Sequence, residues 1–174
     1  MRLTCHQEEL SQGLSVVGRA VATRTTLPIT QNVLIATDKK EEAQGGRLKL
    51  SATNLEIAIT TWVGSELEEE GSITVPARLL TEFVMSLPAT AGPDLEANEL
   101  TLSTTDQPLR LTVDIGKSKR STAKINGSDS DDFPPIPNVE SGVAIKIEPQ
   151  ILHNAVDRVA FAAATEDSRP VLTG

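Results

Sequence analysis

The sequence predicts an α+β fold, built from two amphipathic helices and several groups of strands. Two segments, near residues 7–21 and 76–88, carry apolar side chains at helical spacing. The segments between and after them are rich in β-branched residues, and several of them alternate in polarity. The resulting order of strand, helix, strands, helix and strands is typical of an α+β domain.

The N-terminal segment predicts a short strand and then a helix. Residues 1–6 alternate enough in polarity for a strand. The apolar stripe that follows is Leu10, Leu14, Val17 and Val21. These positions lie four, three and four residues apart, as on one face of a helix. Pro28 ends the helical pattern.

Residues 32–76 predict a group of strands. The candidates, in chain order, are NVLIATD, RLKLSATN, LEIAITTWVGSEL and SITVP. The charged segment DKKEEAQGG, with Gly45 and Gly46 at its end, predicts an exposed hairpin tip between the first two.

A second helix and three further strands complete the predicted domain. PARLLTEFVMSLP begins with Pro76, which favours a helix start. Its apolar face is Leu80, Phe83, Val84 and Leu87. The strands that follow are ELTLSTT, PLRLTVDIG and KRSTAKI.

The segment NGSDSDDFPPIPNVESG is rich in Asp, Ser, Gly and Pro, and it predicts a connector. We therefore expect a first domain at 1–126, a connector at 127–142 and the incomplete opening of a second domain at 143–174. The last segment predicts a strand, a helix and an extended tail.

An internal correspondence supports this division. With a shift of 142 residues the C-terminal segment aligns with the N-terminus without a gap. The matched pairs include Leu10 with Leu152, Val17 with Val159, Ala20 with Ala162, Thr23 with Thr165 and Pro28 with Pro170. A period of this length indicates duplication of a whole domain and not a solenoid repeat.

Composition narrows the classes of function. The net charge of -8 argues against a nonspecific nucleic-acid coat. The single cysteine, Cys5, forms no internal disulfide, and the N-terminus lacks the apolar run of a signal peptide. No stretch approaches the length of a membrane span. We expect a cytoplasmic protein without a membrane partner.

Several motifs, in this order and at these distances, resemble the bacterial β sliding clamp family. They are RTTLPITQNVL, LSATNLEIAI, ITVPARLL, DDFPPIP and FAAATEDSRPVLTG. The resemblance implies a DNA-clamp fold with helices on an inner wall and the sheet outside. It also implies three domain copies per chain, of which this sequence holds the first and the opening of the second. Two such chains close head to tail into a ring around duplex DNA.

The resemblance implies a processivity factor of the DNA polymerase III holoenzyme. Its partners are double-stranded DNA, contacted without sequence preference, together with polymerase, clamp loader and other clamp-binding proteins. A ring that cannot leave the duplex keeps the tethered polymerase near the primer end. The family implies an accessory subunit with no cofactor and no catalytic site of its own, so any polymerase activity belongs to the assembly.

Four arginines are the expected DNA contacts. Arg24 and Arg78 match positions where the family carries DNA-facing arginines, with a solvated side chain as the alternative. A cation at Arg78 is unfavourable for the helix dipole, which hints at a role elsewhere. Arg19 and Arg158 lie toward helix ends, where capping is an equal alternative. Glu8 and Glu9 depart from an all-basic wall.

The resemblance also implies two protein contacts. Arg169 and Leu172 match part of a pocket for short peptides, with a surface arginine and a buried leucine as the alternatives. The edge strand with Arg120, Thr122 and Lys124 matches the dimer contact. No DNA role is assigned to Glu166, Pro170 or Val171, which differ from residues that contact DNA in some relatives.

Other functions have little support. His6, His153 and Cys5 lack the spacing of a metal site, and no carboxylate cluster suits two catalytic metals. The main alternative is an α+β adaptor that binds protein and never DNA. A carboxylate-based hydrolase is more distant.

Overall fold

A computed structural model describes the chain in two compact units, Met1–Ile136 and Pro137–Gly174. The described residues are 1–38, 46–87, 98–106, 109–115, 121–137, 142–143, 145–164 and 169–173. Most of the predicted hairpin tip at 38–46, as well as Lys119 and Arg120, lies outside these ranges.

The described residues of the first unit form eight strands and two α-helices. The strands are β1 (Arg2–His6), β2 (Asn32–Asp38), β3 (Arg47–Thr53), β4 (Ala58–Glu69), β5 (Ser72–Pro76), β6 (Glu99–Asp106), β7 (Leu109–Ile115) and β8 (Thr122–Asn126). The helices are α1 (Gln7–Val17) and α2 (Ala77–Ser86). All strand pairs are antiparallel, in the order β5-β2-β3-β4-β1-β6-β7-β8. The expected α+β class is confirmed.

The long strand β4 joins the two halves of this sheet. Residues 58–64 pair with β3, and residues 65–69 pair with β1. The strand therefore crosses from one set of partners to the other along its length. This continuity lets one sheet form a single core with both helices.

The apolar stripes of α1 and α2 pack into that core. Leu10, Leu14 and Val17 of α1 are buried, and so are Leu80 and Val84 of α2. These side chains share one cluster with inward-facing leucines and valines of the strands, so both helices cover the same face of the sheet. The predicted core faces are thus confirmed.

Two residues bring α1 close to its neighbours. Gly13 is buried, and a Cβ there would lie 2.9 Å from both Leu50 Cδ1 and Val63 Cγ2. Gln7 is also buried, and its Nε2 donates to the carbonyl oxygens of Val84 and Leu87, each at 3.2 Å. The glycine permits contact with the sheet, and the glutamine joins α1 to α2.

Two predicted boundaries differ from the structure. Helix α1 ends at Val17 and continues as a 3₁₀ turn, so Val21 follows the helix and packs only partly against the core. Strand β4 begins at Ala58, because Asn54 Oδ1 accepts hydrogen bonds from the N–H groups of Glu56 and Ile57. This local turn competes with strand pairing.

The first unit continues past residue 126, where the predicted connector begins. Ser128 and Thr74 exchange backbone hydrogen bonds of 3.1 and 2.9 Å. Phe133 is buried, and the compact unit ends at Ile136. Gly127 permits this approach, because a Cβ there would lie 2.8 Å from the carbonyl oxygen of Thr74. The polar composition of the segment gave no sign of this packing.

The second unit contains α3 (Pro149–Ala160) and a 3₁₀ turn at Pro170–Leu172. Ala164 N–H donates to the Leu172 carbonyl at 2.7 Å. The strand predicted after residue 142 is wrong for the described residues there, which are coil. A strand needs a pairing partner, and no strand is present among the described residues of this unit. No described helix is long and apolar enough to cross a membrane.

Candidate DNA-facing surface and open strand edge

Exposed arginines lie on or beside the two helices of the first unit. Arg19 is in the 3₁₀ turn that continues α1, Arg24 is in the following loop, and Arg78 is in the first turn of α2. Because α1 and α2 contact each other and cover the same face of the sheet, these cations belong to the helical side of the unit.

The loop that carries Arg24 is held by hydrogen bonds at its base. Ala22 N–H donates to the Thr30 carbonyl at 3.1 Å. Thr30 Oγ1 donates to the Leu27 carbonyl at 2.8 Å, and Leu27 N–H donates to Thr25 Oγ1 at 3.0 Å. These bonds explain why threonines follow the arginine, and they fix the backbone while the arginine side chain stays exposed.

Arg19 and Arg24 make no ion pair with any described residue. Their positive charge is therefore not offset by a partner in the described part of the first unit. Arg19 also lies just beyond the C-terminal end of α1, where a cation is favourable for the helix dipole. This placement fits both helix capping and an outward contact, the two alternatives for Arg19.

Arg78 has a partner that the sequence interpretation missed. Its Nε lies 2.7 Å from Glu82 Oε1, one turn along α2. The hydrogen bond from Glu82, and then its charge, raise the pKa of Arg78 above its usual range. The spacing of four residues could have revealed the pair. Because Glu82 offsets the unfavourable helix dipole, the dipole no longer argues for a role elsewhere.

Acidic residues occupy the opposite end of α1. Glu8 and Glu9 lie in its first turn, where carboxylates are favourable for the helix dipole. The helix is therefore acidic at its N-terminus and followed by Arg19 and Arg24 beyond its C-terminus. This polarity gives a structural reason for two glutamates on a helical face that also carries cations.

The remaining expected site residues on the helical segments lie in the second unit. Arg158 is exposed in the last turn of α3. Arg169 and Leu172 are joined by one backbone hydrogen bond of 2.9 Å from Leu172 N–H to the Arg169 carbonyl. Leu172 is 50% exposed, so the alternative of a buried leucine does not apply within the described residues.

The two edges of the sheet differ. At β5, Thr74 is already paired with Ser128, and Pro76 has no N–H to donate. At β8, backbone bonds join Ser121 to Ile115 and Gly127 to Leu109. Because antiparallel residues alternate in direction, the even-numbered residues of β8 point their N–H and C=O groups away from β7.

The open edge therefore presents backbone groups of Thr122, Lys124 and Asn126. Thr122 Oγ1 donates to Asp114 Oδ1 at 2.6 Å, which orients this side chain across the β7–β8 pair. Lys124 is exposed. Arg120, the third residue expected at this edge, lies outside the described residues.

A catalytic metal centre has no candidate among the described residues. No group of three or more His, Cys, Asp or Glu side chains in these ranges is placed to hold a metal ion. The Cys5 thiol is buried, which, with the nearby Glu9 carboxylate, raises its pKa to about 12. A thiol in that state is a poor nucleophile near neutral pH.

Sequence comparisons identify relatives over the whole chain. It is 35% identical over 179 residues to the beta sliding clamp of Synechocystis sp. and 28% identical over 183 residues to that of Bacillus subtilis. These alignments cover 100% of this chain and 42% or 43% of the relatives. The chain thus spans less than half the length of these curated relatives.

Structural comparisons agree. A putative DNA polymerase III beta subunit from Eubacterium rectale matches with a TM-score of 0.84 at 29% identity, covering 100% of this chain and 42% of that one. The subunit from Pseudomonas aeruginosa matches with a TM-score of 0.80 at 31% identity, covering 100% and 43%. The family model for the N-terminal domain of the DNA polymerase III beta subunit matches residues 1–137. The chain therefore belongs to the DNA polymerase III beta subunit, or beta sliding clamp, family.

Proposed function

We propose that this chain is the N-terminal part of a sliding clamp that encircles duplex DNA and tethers DNA polymerase III. The match of the N-terminal family domain to residues 1–137 carries this proposal. The clamp itself performs no chemical step, and its cytoplasmic, nucleoid-associated ring acts by holding its partners on the template.

The arrangement of charge supports sequence-independent contact with phosphates. Arg19 and Arg24 are exposed beside the helices and have no described ion-pair partner. Isolated cations attract the DNA backbone, whereas sliding requires that no base edges are read. The net charge of -8 disfavours DNA binding elsewhere on the surface. In this proposal Arg78 gives up its ion pair with Glu82 and pairs with a phosphate instead. Arg158 adds a further phosphate contact from the second unit.

The open edge of β8 is the proposed subunit contact. A strand from a second chain would extend the sheet by bonding to the outward backbone groups of Thr122 and Lys124. Lys124, with Arg120, favours an acidic partner edge. The edge at β5 is less suited to this role because Ser128 already occupies Thr74.

The second unit contributes part of a proposed peptide pocket. Arg169 and Leu172 lie on one short turn, and both side chains are exposed. An exposed leucine beside an arginine suits a peptide with an apolar residue. The proposed ligands are the clamp-binding segments of polymerase, clamp loader and other partners.

Retention on circular DNA tests the DNA contact. The experiment uses a protein of the relatives' full length that carries this sequence, loaded onto nicked circles. The double change Arg24→Glu and Arg78→Glu should shorten retention at least about tenfold, because two attractive charges become repulsive. Arg2→Glu controls for one charge reversal away from the helices, because Arg2 is on β1 and pairs with Glu68 at 2.9 Å. Equal retention by an intact double-variant ring would contradict these contacts.

Sedimentation of the same protein tests the edge. Thr122→Pro removes an outward N–H without removing a β7–β8 backbone bond, so monomers are expected. Thr122→Val keeps that N–H and loses only the hydroxyl, so the dimer should persist. A dimer that survives Thr122→Pro would exclude this edge as the contact.

A further inference from the structure

A groove lies at the end of the sheet where β5 and β8 separate. Its volume is about 610 Å³, and its described lining residues belong to the first unit. One wall contains Leu27, Pro28 and Ile29, and Pro76 extends the apolar surface. Asn126 and Asp132 lie on the other wall. The groove contains none of the arginines of the proposed DNA contact.

Backbone chemistry explains why the groove is open. Thr74 and Ser128 form an isolated antiparallel bridge. Continuing that register toward the end of β5 would place Pro76 opposite Asn126. Pro76 has no N–H to donate, so the ladder stops. The backbone N–H and C=O of Asn126, which point away from β7, are thereby left on the side of the gap.

Local hydrogen bonds hold the backbone of the apolar wall. Leu27 is 42% exposed, yet its backbone makes three hydrogen bonds to Thr25 or Thr30 side chains. Thr30 is buried and also donates its N–H to the Leu27 carbonyl at 3.1 Å. A side chain that binds against this wall therefore orders little additional structure, which favours binding.

The polar wall carries the negative charge of Asp132, which has no compensating cation among the described residues. The Asp132 carboxylate makes no ion pair or hydrogen bond with any described residue. It lies in a short turn fixed by the bond from Asp131 N–H to Asp129 Oδ1 at 3.0 Å. No lysine or arginine is among the described residues that line the groove. A ligand with a cation is thus electrostatically complementary.

We propose that this groove binds an extended peptide segment in which an apolar side chain is followed by lysine or arginine. The apolar side chain packs against Leu27, Ile29 and Pro76, while the cation pairs with Asp132. The peptide backbone bonds to the outward N–H and C=O of Asn126, as a short added strand. This binding is independent of the proposed DNA contact, since the two use different residues.

Amide NMR of the labelled 174-residue chain tests the proposal. The probes are two tetrapeptides with blocked ends, Ser-Leu-Val-Lys and Ser-Leu-Val-Glu. The lysine peptide should give saturable shifts at Ile29, Asn126 and Gly127, with a Kd of about 1 mM for so small a ligand. The glutamate peptide should bind at least about threefold more weakly, as expected for one partly exposed ion pair.

Substitutions test separately the contact of the cation with Asp132 and the contact of the apolar side chain with Leu27. Asp132→Asn should make the two peptides equivalent, whereas Asp131→Asn, in the same turn, should preserve the lysine preference. Leu27→Ser should weaken binding of the lysine peptide about tenfold. Leu79→Ser, at an exposed position on α2, should leave that binding unchanged. The absence of saturable shifts at the groove, equal binding of both peptides to the unaltered chain, or insensitivity to Leu27→Ser would each overturn the proposal.

Discussion

Helices α1 and α3 have matching apolar patterns and opposite environments. At the shift of 142 residues Leu10 corresponds to Leu152 and Val17 to Val159. Leu10 and Val17 are at most 1% exposed, whereas Leu152 and Val159 are 51% and 65% exposed. The difference lies in the sheet, because α1 packs on β3 and β4 while no strand is described in the second unit.

This contrast shows what an amphipathic pattern specifies. It selects the face that a helix buries, but it does not supply the surface that covers that face. A helix of twelve residues is marginal in water without such packing. The sheet of the first unit therefore stabilises α1, and α3 has no equivalent support among the described residues.

Hydrogen exchange on the 174-residue chain should give the largest difference. Core amides of β3 and α1 exchange through global unfolding of the first unit, whereas amides of α3 can exchange after local opening of that helix alone. We expect protection at least about a thousandfold higher in the first unit, for a domain of ordinary stability. Equal protection of α3 and β3 in a monomer would show that the second unit has a core of its own.

The next largest difference should come from shortening one corresponding side chain in each helix and comparing the losses in the free energy of unfolding. Leu14 and Val156 correspond at the same shift, and they are 1% and 51% exposed. Leu14→Ala should lower the free energy of unfolding by about 3 kcal/mol, because it leaves a cavity. Val156→Ala should change it by less than about 0.5 kcal/mol. Urea titration measures both values, and similar losses would contradict the comparison.

The position of Gly13 gives a sharper test. Gly13→Ala raises helix propensity but places a Cβ 2.9 Å from Leu50 Cδ1 and Val63 Cγ2, so a net loss of about 1 to 2 kcal/mol is expected. The corresponding residue in α3 is Ala155. Ala155→Gly should reduce helical circular dichroism and leave the urea midpoint of the first unit unchanged. Stabilisation by Gly13→Ala would show that the sheet relaxes around the methyl group.

The smallest expected effect is a loss of stability at high pH that comes from the Cys5 thiol. Burial and then Glu9 raise the pKa of Cys5 to about 12 in the folded chain. Above about pH 9 the unfolded thiol loses its proton while the folded thiol keeps it, so stability falls as pH rises. The loss should be about 1 kcal/mol at pH 9.5. Helix α3 contains no cysteine or lysine, so its helicity should not follow this titration.

Comparison of urea midpoints for the unaltered chain and Cys5→Ala isolates this contribution. Lysines titrate in the same range in both proteins, and their effect cancels in the difference. The difference in urea midpoint between the two proteins should change between about pH 8 and pH 10. A difference that stays constant over this range would show that the thiol is accessible to water when the chain is folded.

Local sequence patterns predicted most of the first unit. The spacing of Leu10, Leu14 and Val17 predicted the buried face of α1, because helical periodicity is a property of nearby residues. The pairing of Ser128 with Thr74 was missed, because these residues are far apart in sequence and no local pattern records their contact. The predicted strand is absent from the described residues after 142, since strand propensity cannot supply a pairing partner.

The candidate site was predictable only in part. Exposed arginines could be selected from the family resemblance, and their DNA roles stay predictions. The ion pair of Arg78 with Glu82 was missed although its spacing is visible in the sequence. The direction of the Thr122 backbone could not be predicted, because it depends on the register of β8 against β7.

The bond between Ser128 and Thr74 also limits how the first unit can polymerise. A fibril grows only when every subunit offers two accessible strand edges. Here β5 is tied to the chain that follows β8, and Pro76 removes another donor from the same edge. Among the described strands, the edge of β8 is therefore the one that remains available for pairing with another chain. A partner strand that joins through β8 occupies the described edge that has unpaired backbone groups, so a sheet of eight described strands accepts one subunit contact without becoming a template for aggregation.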